Sequence, residues 1–209
     1  MKIVRSLFSA SRMRLLSSAV TAAVGADGKW TPAAGEPGDE SWNGAPVEKR
    51  MASTWGMPGA YDVARKTLIW GIANPMPDQR MARHGTADGT SKTAPADLYS
   101  NSTVAIDVNT GKLKWYYQHL PGDDWDEDIN EERTIIRTKV NPNPKYIKWI
   151  NPDVPKGQQH DIVVNVGEGG GLFALDKRTG KFLWATPFPS DVPNFILSDI
   201  DVHTGATRI

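Results

Sequence analysis

The eleven residues 105–115, AIDVNTGKLKW, return as residues 174–184, ALDKRTGKFLW, and this repeat decides the fold. Ala, Asp, Thr, Gly, Lys and Trp recur at identical spacing, and a degenerate third copy, DIDVHTGATRI, occupies residues 199–209. Each copy reads as a hairpin: a strand, a tight turn at Thr-Gly where glycine accepts a positive φ, and a second strand ending on Trp. The Asp is placed to hold the turn by bonding nearby backbone amides. The Trp, fixed at one position of the unit, would dock one unit on its neighbour. Such units bury their faces by stacking, as in solenoids and β-propellers. Two chance hairpins would not share this many matched positions.

Outward from the repeat, strand-length apolar runs recur between turn signals at residues 67–73, 102–108, 112–119, 134–140, 162–166, 172–175 and 182–186. They carry β-branched and aromatic residues, and no segment sustains a helical period over three turns, so the chain reads as almost wholly β. Residues 27–52 are polar and rich in Gly and Pro, an irregular connecting segment. Residues 1–26 have a basic start, an apolar middle at 15–24 and a small-residue end, the layout of a secretory signal or of a spurious start.

Composition narrows the function classes. The 209 residues hold 24 Lys plus Arg against 24 Asp plus Glu, a balance that argues against nucleic acid as partner. There is no cysteine, which excludes disulfides and thiolate metal sites, and no apolar run reaches the ~18 residues of a membrane span. Eight Trp, 19 Gly and 15 Pro fit short strands, many turns and large aromatic packing units.

The densest chemistry lies in PGDDWDEDINEE, residues 121–132. Its Asp124, Asp126 and Asp128 have the alternation of a helix-loop-helix calcium loop, but Ile129 stands where Gly is needed and Ile135 where Glu is needed. That reading is rejected. In an extended segment Asp126 and Asp128 would point one way, Trp125 and Glu127 the other, with Trp125 turned into packing. Two oxygen ligands on one side suit a hard cation; a solvated acidic turn is the plain alternative. Asp123, Asp124, Glu131 and Glu132 read as solvated charge. GEGGG at 167–171 resembles a phosphate loop, yet a strand follows it and not a helix. His84, His119, His160 and His203 lack ligand spacing, and Asn101-Ser-Thr fits a glycosylation acceptor.

Taken together, TWGMPGAYD (54–62), WGIANPMP (70–77), DLYSNSTVAIDVNTGKLKWYYQHLPGDDWDED (97–128) and GLFALDKRTGKFLW (171–184) resemble the pyrroloquinoline quinone (PQQ)-dependent alcohol dehydrogenases. The resemblance implies an all-β fragment of an eight-bladed β-propeller: about three blades over residues 53–209, with the ring not closed. It implies that Trp55 floors the quinone, that Asn74 is an amide-oxygen metal ligand, and that Asp126 is the catalytic base and a ligand. Asp128 would be the extra carboxylate that marks lanthanide-using members over calcium-using ones. A primary alcohol would be oxidised, with electrons passing to cytochrome c in the periplasm. Glu168 departs from the pattern: relatives place Arg or Lys there to bond the quinone oxygens. The upstream glutamate ligand and the cysteine pair beside the quinone have no counterpart, so the chain alone is expected to be inactive. The alternative is a cofactor-free propeller scaffold of the outer-membrane assembly-factor type, which needs the repeat but not Asn74 with Asp126 and Asp128.

Overall fold

The computed structural model describes residues 30–85, 96–169, 171–188 and 197–208; the expected signal segment 1–26 lies outside them. Strands β1 (Ala60–Asp62), β2 (Thr67–Ile72), β3 (Ser102–Asp107) and β4 (Leu113–Gln118) form a four-stranded antiparallel meander. A five-stranded sheet follows from β5 (Thr134–Lys139), β6 (Trp149–Ile150), β7 (Gln159–Gly167), β8 (Gly171–Asp176) and β9 (Phe182–Pro187), in the spatial order β5-β7-β8-β9-β6. A two-stranded hairpin, β10 (Asp199–Ile200) and β11 (Thr207–Arg208), ends the described chain. Two blade-like sheets and a third partial unit do not close a ring, as the repeat led one to expect.

The three repeat copies are the hairpins β3–β4, β8–β9 and β10–β11, and they share one turn chemistry. Oδ1 of Asp107 accepts from the amides of Asn109 and Thr110, Asp176 from Arg178 and Thr179, and Asp201 from His203 and Thr204. In each, the amide of Gly111, Gly180 or Gly205 donates back to the carbonyl of the same Asp. Both complete copies also slip register at the same point, between Ala105 and Ile106 and between Ala174 and Leu175. A short polar side chain and a left-handed glycine thus set the reversal, and the bulge adds local twist.

Docking by Trp holds at one junction. Gly180 has φ +71°, and a Cβ there would fall 2.5 Å from the ring of Trp115, so the first copy's Trp lies flat on the second copy's turn. The second copy behaves differently. Trp184 packs on the cluster Val140, Val154, Ile162 and Leu183 of its own sheet. Gly205 of the third copy meets Phe182 and Tyr117, and the Tyr117 hydroxyl donates to the Gly205 carbonyl at 2.7 Å.

The main core lies between the two sheets. Ile69, Ala105, Trp115 and Tyr117 face Val163, Phe173, Leu175, Phe182 and Ala185, with Tyr117 stacked on Phe182 at 6.1 Å between ring centroids. The other face of the first sheet is covered by Trp30 and Ala52, packed with Ile72, Val104 and Ile106. Residues 30–52 are therefore irregular yet packed. They include one-turn 3₁₀ helices at Asp39–Trp42 and Val47–Lys49, and the indole of buried Trp42 donates to the Leu98 carbonyl.

Candidate functional site

Antiparallel pairing brings four sequence-distant segments to one end of the sheets. In the first meander, the start of β1, the end of β2 and the end of β4 lie at one end of the sheet and lead to Trp55, Asn74 and the acidic stretch. The acidic stretch then leads into β5, whose start pairs with the end of β7. The β7–β8 turn, with Glu168, arrives at the same place.

There the residues touch. The Asn74 amide nitrogen Nδ2 donates to Asp126 Oδ1 at 2.5 Å, and the Asn74 backbone N–H donates to Asp128 Oδ1 at 3.2 Å. The Trp55 indole N–H donates to the same Asp128 oxygen at 3.2 Å. Asn74 is 1% exposed, and its Oδ1 has no hydrogen-bond partner. Trp55, by contrast, is 58% exposed, with one edge held and the ring otherwise open. Glu168, singled out in the sequence as a departure, is also here. Its N–H donates to the Asp128 carbonyl at 3.0 Å, and its Oε2 accepts from the Asp128 N–H at 3.1 Å. Among the described residues, no three His, Cys, Asp or Glu side chains already stand at the spacing of a metal cage.

The electrostatics are those of crowded anions. Burial, then the charges of Glu168 and Asp126, push the Asp128 carboxyl above its usual range against the Asn74 backbone amide and the Trp55 indole N–H. Glu127 is raised by burial and by Asp123, Glu168, Asp126 and Asp128. A cation placed among them would reverse these shifts.

The loop's conformation differs from the extended form that alternation requires. Asp126 has φ +66°, in the left-handed region, so Asp126 and Asp128 converge through a turn and not through strand periodicity. Trp125 is 55% exposed and is not a packing residue. Asp123 is not solvated charge: it is 1% exposed, accepts from the amides of Trp125 and Glu127 and from Asn101 Nδ2, and has its pKa raised by burial. It nucleates the turn from inside. Asn101 is consequently buried, and the sequon it heads is closed in the folded chain.

Two sets of buried arginines, not singled out in the sequence, fix the loop. Helix α1 (Arg80–His84) sends Arg80 to the Gly122 carbonyl at 2.7 Å and Arg83 to the Asp123 carbonyl at 2.6 Å. The Arg80 amide also donates to the Asp124 carboxylate. Buried Asp97 balances Arg83 and bonds His84 at 2.7 Å. At the loop's other end Arg133, 2% exposed, donates to Thr103 Oγ1, to the Ile129 carbonyl and to the Glu131 carbonyl. Its guanidinium lies where a Cβ on Gly71 would be, so β2 needs glycine at that point. The signal available in sequence was Arg-rich polarity on either side of the acidic run, RMARH and ERTIIR. The remaining histidines are structural or exposed: His119 bonds Thr103 in the core, His160 bonds Asp176, and His203 faces solvent.

Comparison with known proteins adds the lineage. The family described as "PQQ: Glucose/ethanol/alcohol dehydrogenase, beta-propeller domain" matches residues 26–194. A quinoprotein ethanol dehydrogenase of Pseudomonas putida is 28% identical over 187 residues, which cover 86% of this chain and 27% of that one. A lanthanide-dependent methanol dehydrogenase of Methylacidiphilum fumariolicum is 30% identical over 161 residues, covering 75% of this chain and 21% of that one. The crystal structure of quinohemoprotein alcohol dehydrogenase from Comamonas testosteroni superposes with a TM-score of 0.59 at 26% identity, over 88% of this chain and 22% of that one. This chain thus spans about a quarter of the length of the relatives it matches.

Proposed function

Because this chain belongs to the PQQ-dependent alcohol dehydrogenase family of β-propellers, we propose that it forms one side of a site that oxidises a primary alcohol. The cofactors of that site are PQQ and a lanthanide ion, with Ca²⁺ as the alternative ion. The observation that carries the reading is the convergence of Trp55, Asn74, Asp126 and Asp128, with the buried Asn74 Oδ1 lacking a partner. A buried acceptor left unpaired is costly, and an oxygen-only donor set is what a hard cation takes. A cofactor-free scaffold would have no use for that atom.

When bound, the quinone supplies the hydride acceptor and the ion polarises its carbonyl. The chain's own residues do the rest. Trp55, held at its N–H edge by Asp128, offers an open indole face on which a planar ring can lie. Asn74 and Asp128 supply neutral and anionic oxygens to the ion. Asp126, exposed at the loop's surface, takes the alcohol's hydroxyl proton on its carboxylate and also borders the ion. Onward electron transfer to cytochrome c and a periplasmic location complete the reading. Turnover is assigned to a longer assembly, because much of the relatives' length has no counterpart in this chain.

The test is titration of the chain with PQQ in the presence of La³⁺ or Ca²⁺, followed by tryptophan fluorescence. Saturable, cation-dependent quenching is expected, and it should be lost in Trp55→Ala and in Asp126→Asn. Failure to bind PQQ with either ion, or quenching indifferent to both substitutions, overturns the proposal.

A further inference from the structure

The repeat makes β4 and β9 equivalent, Trp115 with Trp184 and Tyr116 with Ala185, yet only β9 carries a strand on its outer edge. There β6 pairs antiparallel, Trp149 opposite Ala185 and Ile150 opposite Trp184, and the Asn151 N–H donates to the Leu183 carbonyl at 2.8 Å. On β4 the same edge is bare. The Asp107 N–H donates to the Lys112 carbonyl and the His119 N–H to the Asn101 carbonyl. By antiparallel alternation Trp115 and Tyr117 then bond to β3, while Tyr116 and Gln118 turn their backbone groups outward. Among the described residues, the Tyr116 backbone and the Lys114 carbonyl, which correspond to Ala185 and Leu183, make no hydrogen bond outside the sheet. This edge is one wall of a groove of about 370 Å³, formed by residues 116–118 and Pro121 and bounded on the far side by residues 204–207 of the third hairpin. The groove continues an interface already described, the seat of Gly205 on Tyr117. Tyr116 itself is 43% exposed, its ring edge-on to Tyr99 at 4.9 Å, so an aromatic platform stands beside the unpaired backbone. Strands β1 and β5 are edges too, but neither has a counterpart in the other sheet that carries a partner.

We propose that the β4 edge is a strand-addition site: an extended segment of a second polypeptide lies in the groove and pairs antiparallel with Tyr116, as β6 does with Ala185. The partner's chemistry follows from the ladder it completes. Its backbone presents an N–H and a C=O to Tyr116 and an N–H to the Lys114 carbonyl, which excludes proline at both of those positions. The residue opposite Tyr116 shares that ring's face of the sheet, so an aromatic or β-branched side chain is favoured there. The next residue, opposite Trp115, points to the face on which Gly205 meets Tyr117, where a branched aliphatic side chain packs against small neighbours. In β6 the three positions are Trp149, Ile150 and Asn151. Backbone bonds would supply the affinity and the two side chains the specificity.

The probe is a blocked peptide of residues 147–153, IKWINPD, titrated into the isotopically labelled full chain and followed by NMR. Saturable shifts are expected at the amides of Tyr116, Gln118 and Gly205. Exchange of the Tyr116 amide should slow about tenfold when the peptide stands at about ten times its Kd. The same peptide N-methylated at Trp149 keeps every side chain and loses one ladder donor, and its binding should be lost. Ala206→Trp, at an exposed position on the far wall, should block the groove while the rest of the amide spectrum is unchanged. Shifts confined to Ala185 would mean that the peptide only exchanges with β6. Equal binding of the N-methylated peptide would make the groove a side-chain pocket with no added strand. A Tyr116 amide protected without peptide, and increasingly so with chain concentration, would give the edge to a second copy. Any of these results, or no binding, overturns the proposal.

Discussion

Single residues at the acidic loop show why charge in a sequence does not reveal its own burial. Asp126 and Asp128 were legible as a pair, but their convergence comes from a left-handed Asp126 and not from strand alternation. Asp123 and Asp124 look alike in the sequence, yet Asp123 is sealed under the loop while Asp124 meets the end of a short helix. That difference is set by α1 and Asn101, which are remote in the chain. Arg133 carries the loop's exit, because it satisfies the Ile129 and Glu131 carbonyls and the buried Thr103 hydroxyl. Arg133→Met should therefore destabilise the chain by about 2–4 kcal/mol, read by urea unfolding. A loss below about 1 kcal/mol would mean that solvent reaches those carbonyls.

At the scale of the element, the hairpin repeat was read almost completely from six positions, since its chemistry is local. The turn aspartates have a measurable consequence. Asp107 is held below the usual carboxylate range by the Asn109 amide and Lys114, and Asp201 by the amides of Thr204 and His203. At Asp176 burial pulls upward, but bonds from Thr179 and His160 outweigh it and the net shift is downward. A depressed folded pKa means that the unfolded chain takes up protons first as pH falls. The stability these turns contribute is thus full above about pH 4 and is lost as pH drops through the folded values. Asp176→Asn should flatten the fall of stability between about pH 4 and pH 2. An unchanged slope would remove Asp176 from the account. Strands β1 and β6 and helix α1 escaped the sequence reading because each is too short to show a period; their partners, not their own residues, define them.

For the whole molecule, the junction of Trp115 on Gly180 couples the two sheets. Gly180→Ala places a methyl against the indole and forces a left-handed backbone on a residue with a Cβ. The expected cost is about 2–4 kcal/mol, seen as a lower unfolding midpoint. Trp115→Leu in the same chain should restore only the steric part, since the backbone strain stays. Full rescue would show that the φ at Gly180 is not constraining. The overall architecture was legible because a repeat announces its own stacking. The seat of the third hairpin was not: Gly205 wedges against Tyr117 and Phe182, whereas the repeat alone would have sent it to Trp184.

The closed sequon at Asn101 has a consequence for how the chain matures. The Asn101 side chain is fully buried and donates to Asp123, so an oligosaccharyl transferase could reach it only before the first sheet and the acidic loop have come together. In a host that glycosylates secreted chains, occupancy at Asn101 would then act as a stopwatch, rising whenever folding is slower than the passage past the enzyme. A glycan added there would also keep Asp123 from its seat. Chains marked in this way would be recorded as having lost the race before they could bind anything at all.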